Sequence, residues 1–290
     1  MRMTTRLKAS LTNKALTHII GAHDPLGARL AEEAGFDGIW ASGFEISAAH
    51  AIPDASLISM SQHLEATRVM VDAVGTPVVA DIDTGYGNAI NVMHTIEKYE
   101  AAGVAAIVIE DKSFPKDTSL LEGGRQELLR IEEFQGKIEA AVSARKDPDF
   151  MIVARTEALI AGQGQAEAKK RGEAYVTAGA DAVLVHSKQK TPDEIVEFSR
   201  AWDLDAPIVI VPTAYPDLTE ARITELGNIK LVIYGNHGVR AIVGALRDTF
   251  GRIRADGGIH QVHGDLPPVS DVFDLQGVPA MKANEKKYLR

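Results

Sequence analysis

The amino-acid sequence predicts an α/β fold, and within that class a (β/α)8 barrel of the TIM type. Short apolar runs rich in β-branched residues recur along the chain, and a polar loop and a helical pattern follow each run. Continuous apolar runs that alternate with helices are typical of a parallel sheet. Eight such units without a linker predict that the sheet closes into a barrel. An open doubly wound sheet split between two domains is the alternative. It would need a linker or a break in the alternation of strands and helices, and the sequence shows neither.

The apolar runs define the predicted strands, and the helical patterns lie between them. The strands are residues 18–23, 38–42, 77–83, 105–110, 150–155, 182–186, 207–212 and 230–234. The helices are residues 24–34, 59–74, 88–102, 130–145, 164–178, 191–201, 217–226 and 238–249. Several of these helical patterns are followed by a glycine suited to a helix C-cap, at Gly35, Gly75, Gly103, Gly179 and Gly227.

The C-terminal segment does not repeat this unit. Residues 251–257 are compatible with an extension of the last helix, whereas the prolines and aspartates of residues 264–279 predict an extended arm. We therefore divide the chain into a barrel, residues 1–250, and an extension, residues 251–290. We expect the extension to pack on another subunit; a mobile terminus is the alternative.

Composition excludes several classes of function. A net charge of −9 and the lack of an extended basic run argue against a nucleic-acid or anionic-membrane partner. The chain has no cysteine, which excludes disulfides, thiolate metal sites and a cysteine nucleophile. Neither a signal-peptide core nor an apolar run of about 18 residues is present, so we expect a cytoplasmic protein.

Carboxylates gather at the ends of two neighbouring predicted strands. Asp81 and Asp83 are two apart, a spacing at which a strand points both side chains to one face, and Glu110 ends the next strand. Three carboxylates at one end of a barrel repel each other unless a cation lies among them. Hard oxygen ligands favour Mg²⁺ or Mn²⁺ over zinc. The alternative is that these acids cap helices or pair with Lys112.

Arg155 and His186 end the fifth and sixth predicted strands. An arginine at the end of a buried strand is suited to hold an oxyanion or a carboxylate, although a salt bridge to Glu110 or Glu157 is the alternative. A lone His186 is more often a core histidine. Next to an arginine and a metal, it becomes a candidate phosphate donor or proton-transfer group.

Two loops at this end of the barrel are further candidates for ligand contacts. Ser42-Gly43-Phe44 predicts a tight loop whose backbone amides could hold a carboxylate. Lys116 and Thr118 lie in a proline-bearing loop followed by Gly123-Gly124, an arrangement that fits a mobile lid. An ordinary surface loop with a solvated lysine is the alternative.

Together these motifs resemble the phosphoenolpyruvate mutase/isocitrate lyase superfamily. The resemblance covers nearly the whole chain. Its motifs are Asp81-x-Asp83-Thr-Gly-Tyr-Gly-Asn88, Glu110-Asp111-Lys112-x-Phe-Pro-Lys116, Trp40-x-Ser42-Gly43, Arg155-Thr156-Glu157 and His186.

The resemblance implies a barrel whose last helix swaps between partners in a homodimer or homotetramer. It implies Mg²⁺, with Mn²⁺ or Co²⁺ as substitutes, near Asp81, with Asp54, Asp83 and Glu110 in its shell, largely through water. It also implies a pyruvoyl-type ligand that contacts the metal, the Ser42–Phe44 amides and Trp40.

The lid distinguishes branches of the superfamily. Isocitrate and methylisocitrate lyases carry a Lys-Lys-Cys-Gly-His loop with a catalytic cysteine, which this chain lacks. The Phe-Pro-Lys lid resembles that of the phosphonate enzymes, in which mutases carry asparagine at the position of Thr118. The threonine resembles the branch that hydrolyses a carbon–phosphorus bond.

The resemblance therefore implies hydrolysis of phosphonopyruvate, a small 2-oxo acid phosphonate, to pyruvate and phosphate. Arg155, His186 and Lys116 would hold the phosphoryl oxygens, and Thr118 would admit and orient the attacking water. A mutase or an oxaloacetate C–C hydrolase on the same scaffold is the nearer alternative. A non-catalytic barrel that senses a metal–2-oxo acid complex is the more distant one.

Overall fold

The computed structural model describes residues Met1–Arg290. Eight parallel strands, β1 to β8, form a closed barrel in chain order, and β1 pairs with β8 through partners such as Ile19 and Ile233. The strands are β1 Thr17–Ala22, β2 Gly38–Ala41, β3 Val78–Asp81, β4 Ala106–Glu110, β5 Met151–Thr156, β6 Ala182–Val185, β7 Ile208–Ile210 and β8 Ile229–Tyr234. The predicted (β/α)8 barrel is confirmed, and each predicted strand coincides with one of these.

Twelve α-helices accompany the strands. They are α1 Met3–Asn13, α2 Pro25–Glu33, α3 Gly43–Ala49, α4 Met60–Ala73, α5 Ala89–Ala101, α6 Ile131–Ala144, α7 Gly164–Thr177, α8 Asp193–Ala201, α9 Glu220–Leu226, α10 His237–Asp256, α11 Val269–Leu275 and α12 Val278–Tyr288. A short 3-10 turn, Pro212–Ala214, follows β7. Eight of the α-helices match the predicted ones.

Helix α1 was not predicted, although the spacing of its apolar residues indicates a helix. Met3, Leu7 and Leu11 repeat every fourth residue, which places them on one helical face. Leu7 and Leu11 are buried and pack with side chains of the barrel interior, among them Val79 and Val108. Helix α1 therefore covers the interior of the barrel at the end opposite the loops that follow the strands.

The extended arm predicted for residues 264–279 is wrong, because α11 and the start of α12 lie there. Pro268 precedes the first turn of α11, and Pro279 lies within the first turn of α12. Proline is tolerated at both positions because the first N–H groups of a helix have no intrahelical partner. The prolines therefore start helices instead of preventing them.

The chain forms two compact units, Met1–Val239 and Arg240–Arg290. The predicted division after residue 250 falls within α10, which ends at Asp256, as expected for the extension of the last helix. The placement of the second unit against another subunit stays a prediction. No helix is both long and apolar enough to cross a membrane.

The turn after β3 is the feature of the fold that most directly shapes the site. Asp83, Gly85, Tyr86 and Gly87 all have positive φ angles, of 50°, 85°, 58° and 146°. A Cβ atom at Gly85 would lie 2.6 Å from Val92 Cγ2 and 2.8 Å from a methyl carbon of Ile109. Only glycine therefore fits the centre of this turn.

We predict that Gly85→Ala lowers the free energy of unfolding by about 2–4 kcal/mol, because the substitution combines a positive φ with two steric overlaps. Gly136→Ala in α6 is the matched control. Its Cβ meets no atom within 4 Å, so it should stabilise the chain by about 0.5–1 kcal/mol. Urea unfolding of both variants measures the difference, and equal effects would contradict the assignment.

Candidate active site

A cavity of about 300 Å³ opens where the strands end. Because the carboxyl ends of parallel strands meet at one mouth of a barrel, residues distant in sequence line it together. Its lining residues are Trp40, Ser42, Phe44, Asp54, Asp81, Lys116, Thr118, Ser119, Leu120, Leu121, Arg155, His186, Val211, Thr213, Gly235 and Asn236.

Asp81, Asp83 and Glu110 are buried next to one another, as predicted, but not because one strand face carries two of them. Strand β3 ends at Asp81, and the turn that follows brings Asp83 back, so that its N–H lies 3.3 Å from Asp81 Oδ1. The Glu110 N–H donates to the Asp83 carbonyl at 2.8 Å. The expectation of a shared strand face is therefore wrong, and the turn produces the cluster.

The Lys116 ammonium lies among these acids. Its Nζ is 2.6 Å from Asp83 Oδ1, 3.2 Å from Asp54 Oδ2 and 3.7 Å from Glu110 Oε1. The backbone N–H of Lys116 donates to Ser56 Oγ at 3.2 Å, which fixes the lid segment at this point. Lys116 therefore forms ion pairs with the buried carboxylates, and the alternative of a solvated surface lysine is wrong.

Burial and mutual repulsion set the protonation of this cluster. Burial raises the pKa of Asp83 to about 7 against the opposing attraction of Lys116, and it raises the pKa of Asp81 as well. Burial alone would lower the pKa of Lys116, but Asp54, Asp83 and Glu110 outweigh it and hold that pKa well above its usual value. The lysine therefore stays charged, whereas burial disfavours the ionised form of Asp83.

The donor set fits a hard divalent cation held partly through water. Both side-chain oxygens of Glu110 and the Oδ1 of Asp83 are buried and accept no hydrogen bond, although they have ion-pair neighbours. No group of three or more His, Asp or Glu side chains is close enough to chelate an ion directly. Water between some of these oxygens and the ion would satisfy both observations.

A second buried cluster surrounds Arg155. Its Nε donates to Glu157 Oε1 at 2.6 Å and lies 3.3 Å from Glu110 Oε2, so the salt-bridge alternative is present in the structure. Arg155 Nη2 lies 2.9 Å from Ser119 Oγ and 3.0 Å from His186 Nδ1. Arg155 therefore links the carboxylates at the end of β4 to His186 at the end of β6.

Glu157 is the central anion of this cluster. Its burial opposes ionisation, but Arg155, His186 and Lys112 outweigh it and hold its pKa well below the usual value. Burial lowers the pKa of His186, which favours a neutral imidazole at pH 7. Because Arg155 Nη2 donates to Nδ1 of the neutral ring at 3.0 Å, Nε2 carries the ring proton and is left to donate to a ligand.

The lid is tied to both clusters. Lys112 Nζ donates to the carbonyl of Asp117 and to Ser119 Oγ, both at 2.8 Å, and lies 3.2 Å from Glu157 Oε2. Ser119 Oγ in turn donates to Glu157 Oε2 at 2.5 Å. Thr118, between Asp117 and Ser119, lines the cavity.

Three of the predicted site residues are arranged differently from expectation. Ser42-Gly43-Phe44 is not a loop: Ser42 caps α3, its Oγ accepts from the Glu45 N–H, and Gly43 begins the helix. A Cβ at Gly43 would lie 3.1 Å from Asp83 Oδ1, so glycine lets the backbone approach the acids. Trp40 and Phe44 line the cavity as expected.

The sequence interpretation gave no role to Ser119, Thr213 or Asn236, and it named Glu157 only in a motif and as a possible salt-bridge partner of Arg155. Ser119 directly follows Thr118, whereas Thr213 is the third residue after β7 and Asn236 is the second residue after β8. A reading of every polar residue after a strand would have found the last two. The role of Ser119 depends on the folded lid and has no such signal.

The closed barrel, the acids at β3 and β4 and the Arg155 cluster define the phosphoenolpyruvate mutase/isocitrate lyase class of α/β-barrel proteins. A family model described as Phosphoenolpyruvate phosphomutase matches residues 7–254, and the chain belongs to that family.

Two curated relatives cover the chain almost completely. The phosphonopyruvate hydrolase of Variovorax sp. (strain Pal2) is 58% identical over 290 residues, which is 100% of both chains. The phosphoenolpyruvate phosphomutase of Tetrahymena pyriformis is 45% identical over 288 residues, which is 99% of this chain and 96% of that one.

Solved structures agree with both relatives. A phosphoenolpyruvate phosphomutase from Streptomyces platensis subsp. rosaceus superposes with a TM-score of 0.97 at 50% identity, covering 99% of each chain. A phosphonopyruvate hydrolase in complex with oxalate and Mg²⁺ superposes with a TM-score of 0.95 at 56% identity, covering 100% of each.

The raised pKa of Asp83 predicts a dependence of stability on pH. The unfolded chain loses this proton near pH 4, whereas the folded chain keeps it to about pH 7. The contribution of Asp83 to the free energy of unfolding therefore falls as the pH rises through that range. Asp83→Asn removes this loss. With EDTA present, the difference between the Tm of the variant and the Tm of the wild type should therefore increase from pH 5 to pH 8. A difference in Tm that does not change with pH would contradict the assignment.

Proposed function

We propose that this chain hydrolyses the carbon–phosphorus bond of phosphonopyruvate to give pyruvate and inorganic phosphate, with Mg²⁺ as its cofactor. The observation that carries the proposal is the identity of 58%, over the full length of both chains, to a phosphonopyruvate hydrolase. The site supports it independently, because its acidic residues suit one end of this substrate and its basic residues suit the other.

The substrate has two ends of different chemistry. The 2-oxo acid end suits a cation held by Asp81, Asp83, Glu110 and Asp54, the residues whose buried oxygens fit a hard metal. Mg²⁺ supplies Lewis-acid polarisation of the carbonyl and carboxylate oxygens when it is bound.

The phosphoryl end suits the cationic side of the cavity. Both Arg155 and His186 line it; Glu157 orients Arg155, and Arg155 in turn orients His186. The Arg155 guanidinium can donate to phosphoryl oxygens, and the Nε2 of His186 is the ring atom that can reach them. Since these groups are buried and already positioned, they would stabilise charge as it develops on the phosphoryl oxygens.

Lys116 would act between the two ends. Its ammonium forms ion pairs with Asp83 and Asp54, and Thr118 lies in the same lid. Movement of the lid would bring the ammonium to the phosphoryl oxygens, as the sequence analysis predicted. The lid would also exclude bulk solvent, since Leu120 and Leu121 line the cavity beside Thr118.

Thr118 would decide the fate of the phosphoryl group. A mutase must exclude water so that the enolate oxygen of pyruvate recaptures this group, whereas a hydrolase must admit a water molecule. Threonine is shorter than asparagine and leaves room for a water molecule at the cavity wall, and its hydroxyl can orient that water. Phosphoenolpyruvate mutase is the second candidate function, favoured by the structural match with a TM-score of 0.97.

A phosphorus NMR time course with phosphonopyruvate and Mg²⁺ tests the proposal. We predict accumulation of inorganic phosphate in the wild type and about a 100-fold slower release in Thr118→Ala, with Mn²⁺ affinity retained because Thr118 contacts none of the acids. Accumulation of phosphoenolpyruvate would establish the mutase instead. Turnover of oxaloacetate alone would reject both phosphonate activities.

The metal assignment predicts an effect on binding that does not depend on turnover. Asp81→Asn should weaken Mn²⁺ binding about 10- to 100-fold, measured by the paramagnetic relaxation of water protons, because it removes a charged oxygen from the buried cluster. Asp72→Asn is the matched control, since Asp72 is exposed and pairs with Arg68 on α4. Equal affinities in the two variants would show that the ion binds elsewhere.

We also propose that the chain forms a homodimer or homotetramer in which the C-terminal helices swap between subunits. The support is the apolar face of α10, where Ile242, Leu246 and Phe250 repeat every fourth residue and are all exposed. An exposed apolar face of this length is typical of a subunit interface.

Multi-angle light scattering measures the oligomeric state. We predict a dimer or a tetramer for the wild type and dissociation for Phe250→Asp, because a carboxylate would be buried in the interface. Helical spacing places Ala241 on the opposite face of α10, so Ala241→Asp should leave the assembly intact. A monomeric wild type would reject the proposal.

A further inference from the structure

Two polar side chains in the cavity have no assigned role and no partner within the protein. Thr213 lies in the 3-10 turn after β7, and Asn236 lies between β8 and α10. Both line the cavity, and Thr213 Oγ1 and Asn236 Oδ1 are buried without a hydrogen bond to any other group of the chain. A buried polar atom without a partner is unfavourable, so a cavity molecule that bonds both would be stabilised there.

The barrel topology places this pair across the cavity from the carboxylates. In a closed ring of eight strands, β7 is opposite β3 and β8 is opposite β4. Thr213 and Asn236 therefore follow strands on the other side of the ring from β3 and β4, which end at Asp81 and Glu110. Arg155 lies near the end of β5 and His186 directly follows β6, and these two strands lie between the two sets. A substrate held at its 2-oxo acid end by the acids would thus point its phosphoryl group toward Thr213 and Asn236.

The chemistry of the pair favours a neutral molecule over an anion. A hydroxyl and an amide each donate and accept hydrogen bonds, and neither carries a charge. The side of the cavity that suits a phosphoryl or carboxylate anion is already supplied by Arg155 and His186. Water can donate to Thr213 Oγ1 and Asn236 Oδ1 at once, whereas a fully ionised phosphonate has no proton to donate.

We infer that Thr213 and Asn236 hold the water molecule that attacks phosphorus, an inference that rests on the proposed hydrolysis. From the side opposite the acids, the water oxygen bonds to phosphorus as the carbon–phosphorus bond breaks in line. The electron pair of that bond passes to C3, conjugated with the carbonyl, and C3 then takes a proton to give pyruvate. One proton of the water balances that protonation and the other stays on phosphate. Thr118 leaves room for the water and helps to orient it, and the pair holds it in place.

The test uses full-length protein with Mg²⁺ and phosphonopyruvate. Thr213→Val is nearly isosteric and removes only the hydroxyl, Thr213→Ser restores it, and Asn236→Leu removes the amide. The control is Thr224→Val, at an exposed position on α9. Each variant is assayed for kcat and KM of phosphate release, for the ratio of phosphoenolpyruvate to phosphate by phosphorus NMR, for Mn²⁺ affinity and for Tm.

We expect Thr213→Val and Asn236→Leu to lower kcat about 100-fold with KM within about 3-fold, and Thr213→Ser to stay within about 5-fold of the wild type. The share of phosphoenolpyruvate should rise in the slow variants, because the enolate oxygen replaces the missing water. A merely structural role would not move this ratio at constant Tm and Mn²⁺ affinity.

Four results would overturn the inference. A rise in KM at unchanged kcat would show that the pair binds the substrate. Unchanged kinetics in both variants would show that the pair neither binds the substrate nor positions the water. If Asn236→Leu fails to fold, the contrast between Thr213→Val and Thr213→Ser decides alone, and equal rates for these two would reject the inference. A wild type that releases no phosphate would reject the proposed function, and the inference with it, whereas an active wild type with active variants rejects the inference only.

Discussion

The structure depends on the concentration of buried negative charge at the ends of β3 and β4. Asp81, Asp83 and Glu110 lie next to one another with little access to solvent, and such an arrangement is unfavourable unless cations compensate it. The protein supplies two, Lys116 from the lid and Arg155 from β5. The need for compensating positive charge explains why the lid docks here and why the site would attract a divalent ion.

The same electrostatics connects the two clusters. Arg155 bonds Glu157 and lies beside Glu110. It therefore contacts both the carboxylates around Lys116 and the cluster around Glu157. Ser119 and Lys112 extend the second cluster into the lid. A change in the charge of a bound ligand would therefore reach the lid through direct contacts, without a separate signalling pathway. Thr213 and Asn236 add uncharged polar groups to the lining of the cavity.

The barrel was predictable from the sequence because each strand is a continuous apolar run and each helix has its own periodicity. The predicted proximity of the acids at β3 and β4, of Arg155 and of His186 followed from the barrel, since parallel strands end at one mouth. The position of Asp83 was not predictable in this way, because it depends on positive φ angles in the turn after β3. Lys116 was assigned to the phosphoryl group from the motif, and its contact with Asp83 appears only once the lid is folded. Prolines misled the interpretation of residues 264–279, because their position at a helix start was read as a break.

The most direct test of the account is the fate of oxygen from the solvent. Phosphonopyruvate is incubated with the protein and Mg²⁺ in ¹⁸O-labelled water, and the products are examined by phosphorus NMR and mass spectrometry. Hydrolysis by in-line attack of water predicts pyruvate together with phosphate that carries a single ¹⁸O atom, because one new bond to oxygen forms at phosphorus. Unlabelled phosphoenolpyruvate as the main product, or no cleavage of the carbon–phosphorus bond, would contradict it.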